Sequence, residues 1–245
     1  MSKFSEVKYY DQLIKIESYI DEIHYQQIFC PECSIAPMHI VRKENINYFA
    51  SNRKEEHSGD CQYYNKFVKQ DRISKLINSD KYLDRKRLEF LIESNLRASI
   101  RVLQRKEKLN ANNSLSNNRA KNRGQRDTNV NRKHKMESIQ RVHVKNVQKT
   151  DNLDKYMIIY GESELIVKSK EKEDKETQEK FIEKQLIFKF NDEIAFSVFL
   201  SKNQTKYFKQ ENGNIHFSIF GLLKQNGDYF NFKIRSTKNL LMIKR

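Results

Sequence analysis

Three cysteines and one histidine in the first quarter of the chain have the types and the spacing of a metal site. The pattern is C-x2-C…H-x3-C, it uses every cysteine in the sequence, and its members are Cys30, Cys33, His57 and Cys61. A two-residue gap lets one tight turn present two thiolates to a single ion, and a histidine and a cysteine four apart can reach that ion from one further turn. A catalytic zinc keeps a coordination position open for water, whereas this set is complete at four. The pattern therefore predicts a structural Zn²⁺ site.

Three alternatives to this ligand set remain open at this point. The three cysteines and the histidine could be buried core residues, Cys30 and Cys33 could form a redox-active C-x-x-C pair, or His39 could replace His57 as the fourth ligand. We favour His57 because His39 lies in an alternating segment, 38–41, that is typical of a strand.

Composition and charge restrict the class of protein. The chain has 245 residues, 37% of them hydrophobic and 32% charged, and a formal net charge of +15. It has no apolar run near the roughly 20 residues of a membrane span and no signal-peptide pattern at its N-terminus. We therefore expect a cytoplasmic protein with reduced thiols. Residues 105–150 contain thirteen of the 47 basic residues against only three acidic ones, which indicates a polyanionic partner.

We predict an α+β, multidomain chain with three parts. Residues 1–107 should form a small zinc-bound β-hairpin module, with strands at 38–41 and 46–50, followed by two helices at about 62–78 and 84–107. The apolar stripes of these helices should pack against the zinc module or against each other. Residues 108–150 should be a basic flexible linker, and residues 151–245 an antiparallel β-barrel domain.

The predicted linker is polar and rich in asparagine and arginine. A segment with so little apolar surface cannot offset its ordering entropy by burial. We interpret it as an arm that contacts nucleic-acid phosphates rather than as a purely solubilising tether. The basic residues proposed for these contacts are Arg119, Arg123, Arg126, Arg132 and Lys133.

The dipeptide Asn226-Gly227 lies between two alternating segments and predicts a β-hairpin. Pairing Gln225 with Asp228 would place Ile219, Leu223 and Phe232 on one apolar face that covers a core. The opposite face would combine rings with polar and basic groups, namely Phe220, Lys224, Tyr229, Asn231, Lys233 and Arg235. Such a face is suited to single-stranded nucleic acid, because bases stack on rings while cations neutralise phosphates. The alternative is a solvated outer face on which Phe220 is covered by another element.

Two resemblances follow from these patterns. Residues 155–243, with five or six strands and a basic aromatic outer face, resemble an OB-fold, and an SH3-like barrel would fit nearly as well. The segments FCPEC, NYFAS and HSGDC resemble the cysteine-rich N-terminal region of competence-protein-like and related bacterial mobile-element proteins. That resemblance implies metal binding by Cys30, Cys33, His57 and Cys61. The nuclease domain that often follows in that family is not matched here.

An enzymatic function is not favoured by the sequence. The six glycines are scattered and no phosphate-binding loop pattern occurs. We therefore expect a nucleic-acid-binding protein without catalytic residues, which binds single-stranded DNA in bacterial or mobile-element DNA metabolism and could meet a protein partner through its N-terminal module. One alternative is a protein-interaction adaptor in phage defence or counter-defence. The other is a metal-dependent nuclease that uses Glu162, Glu164 and Lys168, although carboxylates are common in so charged a chain.

Overall fold

The computed structural model describes residues 4–10, 12–44, 46–51, 57–113, 137–148, 150–173 and 180–245. These residues form a mixed α+β structure of mostly strands, with fourteen strands and four α-helices. The helices are α1 (Asp21–His24), α2 (Gln70–Ile77), α3 (Tyr82–Asn113) and α4 (Lys202–Tyr207). The strands are β1 (Glu6–Tyr9), β2 (Gln12–Lys15), β3 (Ile28–Phe29), β4 (Met38–Lys43), β5 (Ile46–Ser51), β6 (Lys66–Phe67), β7 (Glu137–Ser138), β8 (Arg141–His143), β9 (Tyr156–Glu173), β10 (Lys180–Phe190), β11 (Glu193–Leu200), β12 (Gly213–Asn226), β13 (Tyr229–Lys233) and β14 (Leu240–Lys244).

The chain divides into two compact units. Unit 1 comprises Met1–Phe67 and Gln104–Ser138, and unit 2 comprises Val68–Leu103 and Ile139–Arg245. This division differs from the predicted boundaries after residues 107 and 150, because most of the predicted helical region and the end of the predicted linker count with the β-rich unit 2. No described helix has both the length and the apolar character that crossing a membrane requires.

Unit 1 contains small antiparallel sheets around an aromatic and sulfur-containing core. Strands β2, β1 and β3 form one sheet in that order, and β4 pairs with β5 from Met38↔Ser51 to Lys43↔Ile46. The hairpin predicted between residues 38 and 50 is therefore confirmed. The buried core of this unit consists of Phe4, Val7, Ile28, Cys30, Ala36, Met38, Phe49 and Cys61.

Unit 2 is built on a seven-stranded sheet whose pairings return to their starting strand. Strand β9 pairs antiparallel with both β10 and β12, and β10 pairs antiparallel with β11. Strand β11 lies parallel to β13, and β13 pairs antiparallel with β12. Each of these five strands thus has two neighbours within the set, which we call the five-strand ring. Strands β14 and β8 extend the sheet beside β12 and β9.

Alternating apolar side chains along the strands fill the interior of the ring. Phe188 stacks on Phe196 with ring centroids 4.6 Å apart, and Phe217 packs against both rings. On β12 and β13, the predicted apolar face is confirmed as the inward one, since Ile219, Leu223 and Phe232 are all buried in this cluster. The interior core therefore comes from one side of every strand in the ring.

The two helices predicted after the metal segment exist as α2 and α3, and they pack on the outside of the β-sheet. Their apolar residues share a second buried cluster with Ile158, Tyr160 and Phe220, which point outward from β9 and β12. The helical members of this cluster include Ile73, Ile77, Leu91, Ile92, Leu96, Ile100 and Leu103. The apolar stripes of α2 and α3 therefore share one buried cluster, as one of the two predicted alternatives has it, and together they cover the outer surface of β9 and β12.

Candidate metal centre and nucleic-acid interface

The first two predicted metal ligands lie in a tight turn at the end of β3. The amide of Cys30 donates to the carbonyl of Ala36 at 2.9 Å, and the amide of Ser34 donates to the carbonyl of Cys30 at 2.9 Å. Ser34 has a φ of +55°, a left-handed conformation that closes the turn directly after Cys33. The two-residue gap between the cysteines thus produces the predicted metal-binding turn.

The structure brings all four predicted ligands together. Their ligand atoms lie within 4.8 Å of one another, although His57 and Cys61 are more than 20 residues from the first pair in sequence. The Sγ atoms of Cys30 and Cys61 are 3.9 Å apart. The Nδ1 atom of His57 lies 3.6 Å from Sγ of Cys33 and 3.4 Å from Sγ of Cys61. The cluster is geometrically compatible with a single metal ion. His39 lies on β4 opposite Ala50, as expected for a strand residue.

The protonation chemistry of the cluster also suits a metal ion. Hydrogen bonding to the thiols of Cys30 and Cys61 lowers the pKa of Cys33. Hydrogen bonding to Cys33 raises the pKa of Cys30, and burial raises the pKa of Cys61. A divalent cation would replace the protons on the thiols whose pKa is raised.

Sequence reasoning missed one polar group beside this cluster. Glu32 lies in the two-residue gap between Cys30 and Cys33, and its side chain is buried at 4% exposure. Its Oε2 atom accepts a hydrogen bond from the amide of Gln62 at 2.7 Å and lies 3.1 Å from Sγ of Cys61. The sequence alone does not show whether a glutamate between two cysteines is buried or exposed to solvent.

The predicted nucleic-acid face is only partly open. Phe220 is 1% exposed and stacks against Tyr156 beneath the helices, so its predicted role as a stacking platform is wrong. Arg235 donates to the carbonyl of Ile77.

The other members of that face divide into occupied and open positions. Lys224 forms an ion pair with Asp154, and the side chain of Asn231 accepts from Ser197 at 2.7 Å. Tyr229 is 66% exposed and Lys233 is exposed as well. The predicted contacts in the basic arm, Arg119, Arg123, Arg126, Arg132 and Lys133, lie outside the described residues.

The hairpin itself has the predicted faces with a different register. Asn226 pairs with Tyr229 and Lys224 with Asn231, so Gly227 and Asp228 form the turn instead of Asn226 and Gly227. Gly227 has a φ of +59°, as the first central position of a type II′ turn requires. The predicted register is therefore wrong by two residues. A slip of two preserves the face of every side chain, because the side-chain period of a strand is two.

A second exposed ring lies on the same side as Tyr229 and was missed from the sequence. Phe199 on β11 is 51% exposed. Its neighbour two positions away, Ser197, bonds Asn231, so Phe199 points to the same side as Tyr229 and Lys233. The alternation of the segment EIAFSVFL, with Phe196, Val198 and Leu200 inward, is the signal that could have identified it.

Direct pairings extend this surface across β10 to β9. Gln185 pairs with Phe199 and also with Lys168, which places an exposed lysine in the same row. Neither Lys168 nor Lys233 forms an ion pair with any residue that the structure describes. We call the outward side of β10, β11, β13 and the adjoining part of β9 the open face.

The acidic residues considered for a nuclease have partners in the fold. Glu162 accepts from Arg245 at 2.7 Å, and Glu164 lies 3.6 Å from Nζ of Lys189. Their carboxylates are therefore held by cations of the chain itself. Comparisons of this chain with protein-family models, curated proteins and solved structures found no match.

Proposed function

We propose that the metal is zinc and that its role is structural. Tetrahedral zinc with typical bond lengths would separate two sulfur ligands by about 3.8 Å, and a sulfur from a nitrogen ligand by about 3.6 Å. The separations of 3.9 Å between Cys30 and Cys61 and of 3.6 Å between Cys33 and His57 fit these values. Two of the ligands, Cys30 and Cys61, are also members of the buried core, which favours a role in holding unit 1 together. Mass spectrometry of the native protein should find one zinc per chain.

We further propose that the five-strand ring is an OB-like barrel. In chain order it has three antiparallel strands, then α4, then two more strands, and the third and fifth strands are parallel neighbours. An OB-fold binds oligonucleotides on the face of its second and third strands and on the loops between strands one and two and between strands four and five. Here the corresponding strands are β10 and β11, which form the centre of the open face.

The proposed function is binding of single-stranded nucleic acid on the open face. The observation that carries it is the pair of exposed rings, Phe199 and Tyr229, beside two lysines for which the described part of the chain shows no ion pair. Because β11 and β13 are parallel and Ser197 pairs with Asn231, the two rings are about 13 Å apart along the strands. Lys233 and Lys168 flank Phe199 on either side. Flat rings with cations beside them fit a strand whose bases stack while its phosphates are neutralised.

The coverage of the barrel supports this placement. Helices α2 and α3 bury the outer surface of β9 and β12 around Ile158 and Phe220. The rings on β11 and β13, by contrast, remain exposed. Binding would therefore occur opposite the helices, without any catalytic group. The resemblance of the metal segment to competence-protein-like mobile-element proteins favours DNA as the ligand and bacterial or mobile-element DNA metabolism as the setting.

Fluorescence anisotropy with labelled single strands and duplexes, over a salt series, tests this proposal. The native protein should prefer single strands, and Phe199→Ala should weaken that binding. The matched control is Tyr207→Ala, which removes an exposed ring from α4 outside the open face. If the native protein fails to bind single strands at low salt, or both variants bind equally well, the proposal is wrong and a protein-interaction adaptor becomes the favoured function.

A further inference from the structure

A basic cleft lies in unit 2 where α2 leads into α3. Its volume is about 660 Å³, and its lining includes Arg72, Lys75, Lys81 and Arg87 but only one acidic residue, Asp84. Both helices were predicted from their apolar stripes alone, so the nucleic-acid residues proposed from the sequence include none of these. The cleft is therefore a cationic surface that shares no residue with the open face.

The single carboxylate in the cleft has a structural partner. Oδ2 of Asp84 accepts from the hydroxyl of Ser79 at 2.6 Å, and the same hydroxyl accepts from the amide of Lys81 at 3.3 Å. These bonds fix the turn that begins α3. Four cations against one carboxylate leave the lining with a net charge of +3, and arginine and lysine side chains together are the usual donors to phosphate oxygens.

The cleft adjoins the end of the hairpin that bears part of the open face. Arg235 follows Lys233 by two residues, and its guanidinium donates to the carbonyl of Ile77. Ile77 is the last residue of α2 and lies between Leu76 and Asn78, both of which line the cleft. Arg235 thus joins the strand that carries Tyr229 and Lys233 to the wall of the basic cleft.

We propose that the cleft binds the phosphate backbone of the same single strand after it leaves the open face. This inference rests on the proposed function and adds a second contact region to it. The open face supplies stacking to a short segment of about four to eight nucleotides, within the range known for one OB-fold. The cleft supplies charge to the nucleotides beyond that segment, so only longer strands reach it.

The test compares two oligonucleotide lengths with one cleft variant and one control. The cleft variant is Lys75→Glu with Lys81→Glu, and the control is Lys209→Glu with Lys244→Glu, two exposed lysines that line neither the cleft nor the open face. Anisotropy is measured with labelled thymidine oligomers of about six and about thirty nucleotides. Thermal melting checks that both variants fold like the native protein.

Loss of two phosphate contacts should weaken binding of the longer oligomer on the order of 50-fold at about 50 mM salt and reduce its salt slope by about 1.4. Binding of the shorter oligomer should be the same for the cleft variant and the control. If the two variants bind the longer oligomer equally while Phe199→Ala still weakens the shorter one, the cleft inference alone is overturned. If the native protein binds neither oligomer, the proposed function and the cleft inference are both overturned.

Discussion

Two phenylalanines on the outward side of the five-strand ring should respond in opposite ways to truncation. Phe220 is 1% exposed and packs beneath α2 and α3, whereas Phe199 is 51% exposed on the open face. Phe220→Ala removes a fully buried ring and leaves a cavity, which should cost about 3 to 5 kcal/mol of unfolding free energy. Phe199→Ala removes a ring that is half in water, so its effect on stability should be within about 0.5 kcal/mol.

The effect on binding should be reversed between the two variants. Loss of one stacking ring costs about 1 to 3 kcal/mol, so Phe199→Ala should weaken single-strand binding by about 5- to 150-fold. Phe220→Ala, measured at a temperature where it is folded, should bind within a few-fold of the native protein because its ring does not reach solvent.

Urea unfolding followed by circular dichroism gives the stabilities, and anisotropy gives the affinities. In thermal melts, Phe220→Ala should lower the melting temperature by about 6 to 20 °C. Each phenylalanine serves as the control for the other, since the side chain removed is identical. A Phe220→Ala variant that keeps native stability but loses binding would refute the coverage of β12 by the helices and restore Phe220 as a stacking residue.

Three further predictions concern the candidate metal centre and the five-strand ring. Cys61→Ser should release the metal and expose unit 1 to proteolysis, whereas His39→Ala should keep one metal ion per chain. Native mass spectrometry measures the metal content of both variants. Loss of the metal from both would contradict the assigned ligands. Acidification should release the metal, because protons compete for the thiolates and the imidazole, and the metal affinity therefore falls as the pH falls. A chromogenic metal dye measures the released metal. Release that does not change with pH would count against these ligands. Gly221→Ala should destabilise the protein by about 1 to 3 kcal/mol in urea unfolding, since a Cβ there would collide with the carbonyl oxygen of Lys233 and the ring of Phe232; native stability would show that β12 and β13 are further apart.

The four residues of the candidate metal centre were predictable from the sequence because both halves of the cluster are local. A C-x2-C turn and an H-x3-C turn each carry their own geometry, and only their meeting depends on the fold. The structure brings Cys33 and His57 to 3.6 Å as the spacing indicates. Glu32 was not predictable, since its burial depends on the amide of Gln62, 30 residues away.

Some of the fold could not be read from local patterns. Strands β1 and β2 contain only four residues each, too few for a clear period. Strand β8 lies in the region predicted as a flexible linker, where its three residues pair with β9 near the start of that strand. Both cases depend on partners distant in sequence, because an isolated short strand has little stability of its own.

The misassignment of Phe220 has a physical reason in the length of β12. Alternation correctly placed Phe220 and Lys224 on one face of this 14-residue strand, but it cannot report what covers that face. Near Phe220, the face is buried by apolar side chains of α2 and α3. At Lys224, four residues later, it is half-exposed and carries an ion pair.

The helical stripes and the outward residues of β9 and β12 are therefore two halves of one buried surface, and each half looks like an independent feature in the sequence. The apolar stripes of α2 and α3 need a surface to cover them, and so do the outward side chains of Ile158, Tyr160 and Phe220. Each surface buries the other. Once these two surfaces are paired, Phe199 and Tyr229 remain as exposed rings on the outward side of β11 and β13. We therefore place the proposed binding surface on β11 and β13 rather than on β12, because exposed rings lie beside lysines there.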